Sequence, residues 1–209
     1  PSGGVSEARA AGRDLELIRG CTEQSEHTIL VEEARRLVEV EGVDAVVGGG
    51  GESDSLVFRE LARKYPEVIF IPTWSGAQGL TLRHPAANVY RFDTDEAQDV
   101  AGLGSYAYRE LGWRRAAVVA DTTPVGRHEE AAFVAEFCAL GGAVTARFTA
   151  PIDLGDPKVA HALRGADGVA AFMFGGLFVP PQFLPALARV LGSPETRIVV
   201  GTYVLEDSN

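Results

Sequence analysis

The stretch Val46-Val47-Gly48-Gly49-Gly50-Gly51-Glu52-Ser53 decides the fold. A β-branched pair runs into four consecutive glycines and then into an amphipathic segment, which reads as strand, tight turn and helix, the opening of a βα unit. Glycines let the backbone turn sharply and approach a bound group closely. The free amides of the following helix's first turn, aided by its dipole, favour an anionic group there. Ser53 is placed both as the N-cap of that helix and as a hydroxyl donor to the anion. An ordinary strand-to-helix turn with a serine cap accounts for the same residues equally well. Ser53 stands where a dinucleotide fingerprint needs its third glycine, and the Gly-Lys-Ser/Thr of a P-loop is absent, so neither nucleotide motif fits.

Outward from this run, short β-rich segments alternate with amphipathic ones along the chain, the pattern of βα units around a parallel sheet. Strands are predicted at residues 14–18, 43–47, 68–71, 116–120, 143–148, 168–172 and 197–200, and helices at 28–40, 53–64, 96–111, 126–140 and 181–191. Ile29, Glu33, Leu37 and Val40 recur at helical spacing, while Gly42, Gly112 and Gly141 stand where helix C-termini favour glycine. The connection from 72 to 88 is rich in Gly, Pro and Thr and is the loop expected to carry function. Residues 91–95 pass into a fresh series of βα units and are the expected crossing between a first lobe, 1–92, and a second, 93–209.

The 209 residues are 46% hydrophobic and 23% charged, ordinary for a globular protein with a packed core. A formal net charge of -10 argues against nucleic acid or an anionic membrane as the main partner, since phosphate binding needs clustered positive charge. Arg114-Arg115, the nearest thing to a basic patch, reads as a solvated turn. No apolar run is long enough for a membrane span, and the residues after Pro1 lack the pattern of a signal peptide. The two cysteines, Cys21 and Cys138, define neither a disulfide framework nor a metal site. His27, His84, His128 and His161 show no ligand spacing. Ser75 lacks the G-x-S-x-G frame, because Thr73 occupies the first glycine's place. No cofactor, metal or catalytic residue is therefore expected.

Several further segments, in order, resemble one family. Gly42-Val43-Asp44-Ala45-Val46-Val47-Gly48 leads to Ser53. It is followed by Gly79-Leu80-Thr81, by Asn88-Val89-Tyr90-Arg91-Phe92, and by Ala117-Val118-Val119-Ala120-Asp121 with Val125-Gly126. Gly141-Gly142-Ala143-Val144, Gly165-Ala166-Asp167-Gly168-Val169 and Phe174-Gly175-Gly176 complete the set. Together they resemble the type I periplasmic binding proteins, specifically the leucine/isoleucine/valine-binding type that serves ABC transporters. The resemblance implies an α/β fold of two lobes, each a parallel sheet flanked by helices, closing on a ligand held between them. Such a fold begins with a further strand and glycine-rich loop and returns to the first lobe after the region of Tyr203, so the chain is expected to be shorter than its relatives.

The resemblance also implies site residues. In the family the first lobe holds an amino acid's carboxylate and ammonium, which carries over to Ser53 and to Trp74-Ser75-Gly76; Asp95 falls near an acidic residue that meets the ammonium. In the second lobe Val125 stands where branched-chain amino acid binders place a tyrosine, and Tyr203 where they place an acid. Those departures, with Trp74 and Phe178, point to a more apolar or aromatic ligand, since aromatic faces suit either a ring or a cation. Trp74 also reads as a loop aromatic over a core edge, and Phe178 as lobe packing. The implied function is extracytoplasmic capture of a small solute, an amino acid or small aromatic acid, for delivery to ABC transporter membrane subunits. A ligand-sensing domain of a receptor is one alternative. The other is an α/β enzyme using Asp121, which ends a strand where doubly wound sheets place ligands or else caps the turn through Thr122 and Thr123.

Overall fold

The computed structural model describes residues 9–10, 12–21, 27–82, 85–173, 182–192 and 197–201. The chain separates into two compact units that divide between Asp93 and Thr94. In the first, Arg9–Ala10 (β1) and Arg13–Asp14 (β2) form a small antiparallel pair, followed by α1 (His27–Glu39), β3 (Ala45–Gly50), α2 (Glu52–Lys64), β4 (Ile69–Trp74) and α3 (Gln78–Thr81). β3 and β4 pair in parallel, with Val46 opposite Phe70 and Gly50 opposite Trp74. Leu30 and Ala34 from α1 and Phe58, Leu61 and Ala62 from α2 bury one face of this ribbon, with Val46 and Phe70 pointing into them. Val47 and Ile69 alternate to the opposite face and are exposed.

The second unit runs α4 (Glu96–Asp99), α5 (Leu103–Arg109), β5 (Arg115–Ala120), α6 (Pro124–Ala139), β6 (Ala143–Thr149), α7 (Pro157–Gly165), β7 (Gly168–Phe172), α8 (Phe183–Leu191) and β8 (Ile198–Val200). Its four strands are all parallel in the order β6-β5-β7-β8. Alternation along β5 and β7 makes two cores. Ala116, Val118, Ala120, Ala170 and Phe172 face Phe133 and Phe137 of α6 and Ala107 of α5. Ala117, Val119, Val169 and Ala171 face Leu163 of α7 and Leu187 and Leu191 of α8. Strands buried on both faces read as continuous apolar runs, which is why 116–120 and 168–172 stand out in the sequence.

Three expectations need correction. The strand at 14–18 shrinks to Arg13–Asp14; Leu15 and Leu17 are left more than half exposed, with no ladder partner among the described residues. The helix at 96–111 is two helices, because Gly102 turns left-handed at φ 90 and starts α5 anew. The Glu136 carboxylate of α6 accepts the amides of Gly102, Gly104 and Ser105, capping that new helix from a distant part of the chain. Two helices, α3 and α7, lie where none was predicted; Asp156 caps α7 by accepting the Lys158 amide, and Pro157 opens it. The glycines at 42, 112 and 141 all have positive φ.

Asp167 links the segment before β7 to the amino end of β5. Its carboxylate accepts the Arg114 and Arg115 amides, each at 2.9 Å, and the Arg115 guanidinium at 3.3 Å. Partial burial pushes its carboxyl up, but these donors outweigh that and hold it below the usual carboxylate range. A group depressed in the folded state contributes stability that is present above its unfolded pKa and lost as pH falls through its folded one. Asp167→Asn is therefore expected to lower the free energy of unfolding at neutral pH by on the order of 1 kcal/mol, since a third of the side chain stays in water, and to match the parent in strong acid. Thermal melts across pH check this.

Candidate functional site

In the first unit the glycine run stays extended further than the sequence suggests, so that β3 ends at Gly50 and the turn falls on Gly51. Gly51 is the N-cap of α2, with φ 101, a conformation that L side chains rarely adopt. Ser53 is therefore not the N-cap, and no side chain caps α2. It lies one residue into the helix, exposed, beside the free amides of the first turn. The Gly51 amide donates to the Trp74 carbonyl at 2.7 Å, which sets the end of β4 against this turn. Trp74 is about half exposed and Gly76 half-buried. Ser75 is fully buried; its Oγ lies 2.5 Å from Ser55 Oγ and accepts the Ala77 amide. The structure thus brings Ser53, Trp74, Ser75 and Gly76 to one end of the β3-β4 ribbon, the carboxyl end of its parallel strands. Ser55, which the sequence reading missed, joins them through Ser75; it sits one helical turn beyond Gly51, the only signal that could have found it.

In the second unit the strand order reverses direction between β5 and β7, and a crevice outside the carboxyl ends of such strands is where open α/β sheets bind ligands. Asp121 follows β5 there. It is buried, and its Oδ1 accepts both the amide and the hydroxyl of Thr123, while Thr123 Oγ1 accepts the Gly126 amide and caps α6. A Cβ on Gly126 would lie 2.5 Å from Asp121 Oδ1 and 2.8 Å from the Phe172 carbonyl, so the start of α6 is packed directly on both strand ends. Val125, half-buried, is at that start. Asp95 is buried as the N-cap of α4, accepting the Gln98 amide while its own amide donates to the Gln98 side chain. Glu96 meets His128 of α6, which brings α4 against the first turns of that helix, three residues from Val125. Phe178 and Tyr203 lie outside the described residues.

An open hollow of about 550 Å³ in the second unit is lined by the α4-α5 connection, Tyr106, Val200 and Gly201, and contains none of the candidate residues except by adjacency to α4. Among the described residues no group of three or more His, Cys, Asp or Glu could hold a metal ion, and no helix is long and apolar enough to cross a membrane. Cys21 and Cys138 are exposed free thiols.

Parallel α/β units presenting polar groups at the carboxyl ends of their strands have the layout of a small-molecule-binding protein. The sequence signature of the family described as periplasmic binding protein matches residues 3–207, and the chain belongs to that family. Its fold is shared with type I periplasmic binding proteins of ABC transporters. An ABC transporter substrate-binding protein from Sphaerobacter thermophilus superposes with a TM-score of 0.77 at 24% identity, over 93% of this chain and 53% of that one. A solute binding protein of an ABC transporter from Rhodopseudomonas palustris, in complex with 3,4-dihydroxy benzoic acid, gives 0.67 at 21% identity, over 92% and 52%. An ABC transporter substrate-binding protein from Desulfitobacterium hafniense in complex with Leu gives 0.69 at 20% identity, over 92% and 56%. The chain thus spans about half the length of these structures. No curated protein matches it.

Proposed function

We propose that this chain captures a small carboxylate-bearing solute, an amino acid or a small aromatic acid, outside the cytoplasm for an ABC-type uptake system, and catalyses nothing. The observation that supports the reading is the Gly51-to-Trp74 backbone hydrogen bond, which ties the end of β4, with its half-exposed Trp74, to the turn that starts α2 just before Ser53. A helix start with free amides suits an anion, and an aromatic edge suits the ring or apolar part attached to it. The similar structures named above hold 3,4-dihydroxy benzoic acid and Leu, both carboxylates. Asp95, Val125, Phe178 and Tyr203 of the second unit are further ligand contacts carried over from the family resemblance.

The enzyme alternative loses ground because Asp121 Oδ1 is engaged by Thr123 in a turn at the head of α6. A receptor's ligand-sensing domain would use the same contacts and would differ in its partner rather than its site. For the transport reading the partners are the transporter's membrane subunits.

Ser53→Ala is expected to weaken binding of benzoate or leucine, whichever this chain takes, by about 1.5–3 kcal/mol, the contribution of a hydrogen bond to a charged group. Isothermal titration of both variants reads it. An unchanged affinity moves the carboxylate away from Ser53.

A further inference from the structure

Two buried carboxylates lie in the first turns of α2 and α4. Asp54 follows Ser53 in the first turn of α2; its side chain is more than nine-tenths buried, and Oδ1 lies 3.4 Å from Nε2 of His27, the first residue of α1, without a hydrogen-bond partner. Glu96 follows Asp95 as the first residue of α4. It too is more than nine-tenths buried, its Oε2 lies 3.4 Å from Nδ1 of His128 on α6, and neither atom has a hydrogen-bond partner. Each carboxylate is thus next in sequence to a candidate ligand contact, and each is faced by an imidazole from a neighbouring helix.

We propose that His27 and His128 are positioning residues, holding the helix starts that present Ser53 and Asp95 through the buried carboxylates of Asp54 and Glu96. This rests on the reading of Ser53 and Asp95 as ligand contacts. A carboxylate oxygen taken out of water without a hydrogen bond is unfavourable, and a facing imidazole relieves it when it carries a proton. Asp54 and Ser53 are consecutive, so the hydroxyl and the first-turn amides of α2 move with the Asp54 carboxylate. The Asp95 carboxylate is tied to Gln98 by a reciprocal cap within the same short helix that Glu96 docks onto α6. Burial pushes the Glu96 carboxyl above its usual range, with its own backbone amide and His128 opposing. A change of charge on either imidazole is expected to move the helix start that its carboxylate partner belongs to.

The surrounding charged groups are engaged with other partners. On α1, Glu33 binds Arg36 and Glu39 binds Lys64; on α2, Arg59 and Arg63 meet Glu60, and α3 carries no titratable side chain. Facing Glu96 from its own element are Asp95, in its cap, and Asp99, which accepts from Thr94. On α6, Arg127 donates to the Thr122 carbonyl, Glu129 is buried against Gly201, Glu130 faces Arg147 and Glu136 caps α5.

The test uses the ligand-free chain. Amide and imidazole resonances are followed by NMR through the pH range in which histidines titrate. The Ser53 and Asp54 amides are expected to shift with the midpoint of the His27 ring, and the Asp95 and Gln98 amides with that of His128. His27→Gln should abolish the first dependence and leave the second; His128→Gln should do the reverse, so each unit controls for the folding of the other. Asp54→Asn and Glu96→Gln, which keep both histidines, should remove the same dependences from the carboxylate side. Ser53 and Asp95 shifts that persist in these variants, or no pH dependence in the parent, overturn the proposal. Because no solute is present, a failure here leaves the solute reading standing, and failure to bind any solute leaves the measured link between histidine and helix start intact.

Discussion

Phe133→Ala should lower the free energy of unfolding by about 3–5 kcal/mol in a denaturant titration, with little change in slope. Phe133 is fully buried on α6, stacked on Phe137 at 5.5 Å and tilted against Phe172 of β7. Around it lie Ala116, Val118, Ala120 and Ala170, small or β-branched side chains on the strands that cannot swing inward to fill a ring-sized hole. The penalty is therefore lost burial plus a cavity that persists. Because α6 also carries Val125 and His128, a loosened helix should reduce solute affinity as well.

Leu187→Ala is expected to cost about 2–5 kcal/mol by the same mechanism on the opposite face of the sheet. Leu187 is fully buried on α8 against the outward set of β5 and β7, namely Ala117, Val119, Val169 and Ala171. It shares no packing partner with Phe133, since consecutive strand residues point to opposite faces. The two losses should add to within about 0.5 kcal/mol in the double variant, as independent sites do. A large departure from additivity would mean that the two layers do not pack as separate cores.

The buried strands were legible because a sheet covered on both faces needs an unbroken apolar run. Gly168–Phe172 has that character along its whole length, and its observed bounds match the prediction. The glycine-rich turn and the glycines after α1, α5 and α6 were legible for a different reason, since few other residues tolerate positive φ there. Failures came where a distant group decides local structure. Nothing near Gly102 announces that Glu136 will cap a new helix there, and periodicity alone carries 96–111 through as one. The strand at 14–18 failed because alternation predicts a face to bury but not a ladder to join.

The candidate site divides in the same way. Ser53 was grouped with Trp74-Ser75-Gly76 through the family resemblance, and the structure supplies a physical reason: both follow parallel strands, β3 and β4, and so emerge at the same end of the ribbon. The role of Ser53 in the turn was not legible, since whether serine or glycine caps α2 depends on where β3 stops pairing, and β3 runs on through Gly50 beside Trp74. The His27–Asp54 and His128–Glu96 pairs had no signal in the sequence at all. Each joins residues far apart along the chain, and a histidine without ligand spacing gives no reason to look for its partner.

A thermal-shift screen of the 209-residue protein against amino acids, benzoates, short peptides and sugars decides whether it binds a small carboxylate-bearing solute at Ser53. A ligand that binds only the folded state stabilises by mass action, by about 2.7 kcal/mol at a hundredfold excess over Kd. A selective rise in Tm with one class of carboxylate, smaller in Ser53→Ala, is the expected result. No rise with any compound, or a rise that Ser53→Ala leaves unchanged, would contradict it.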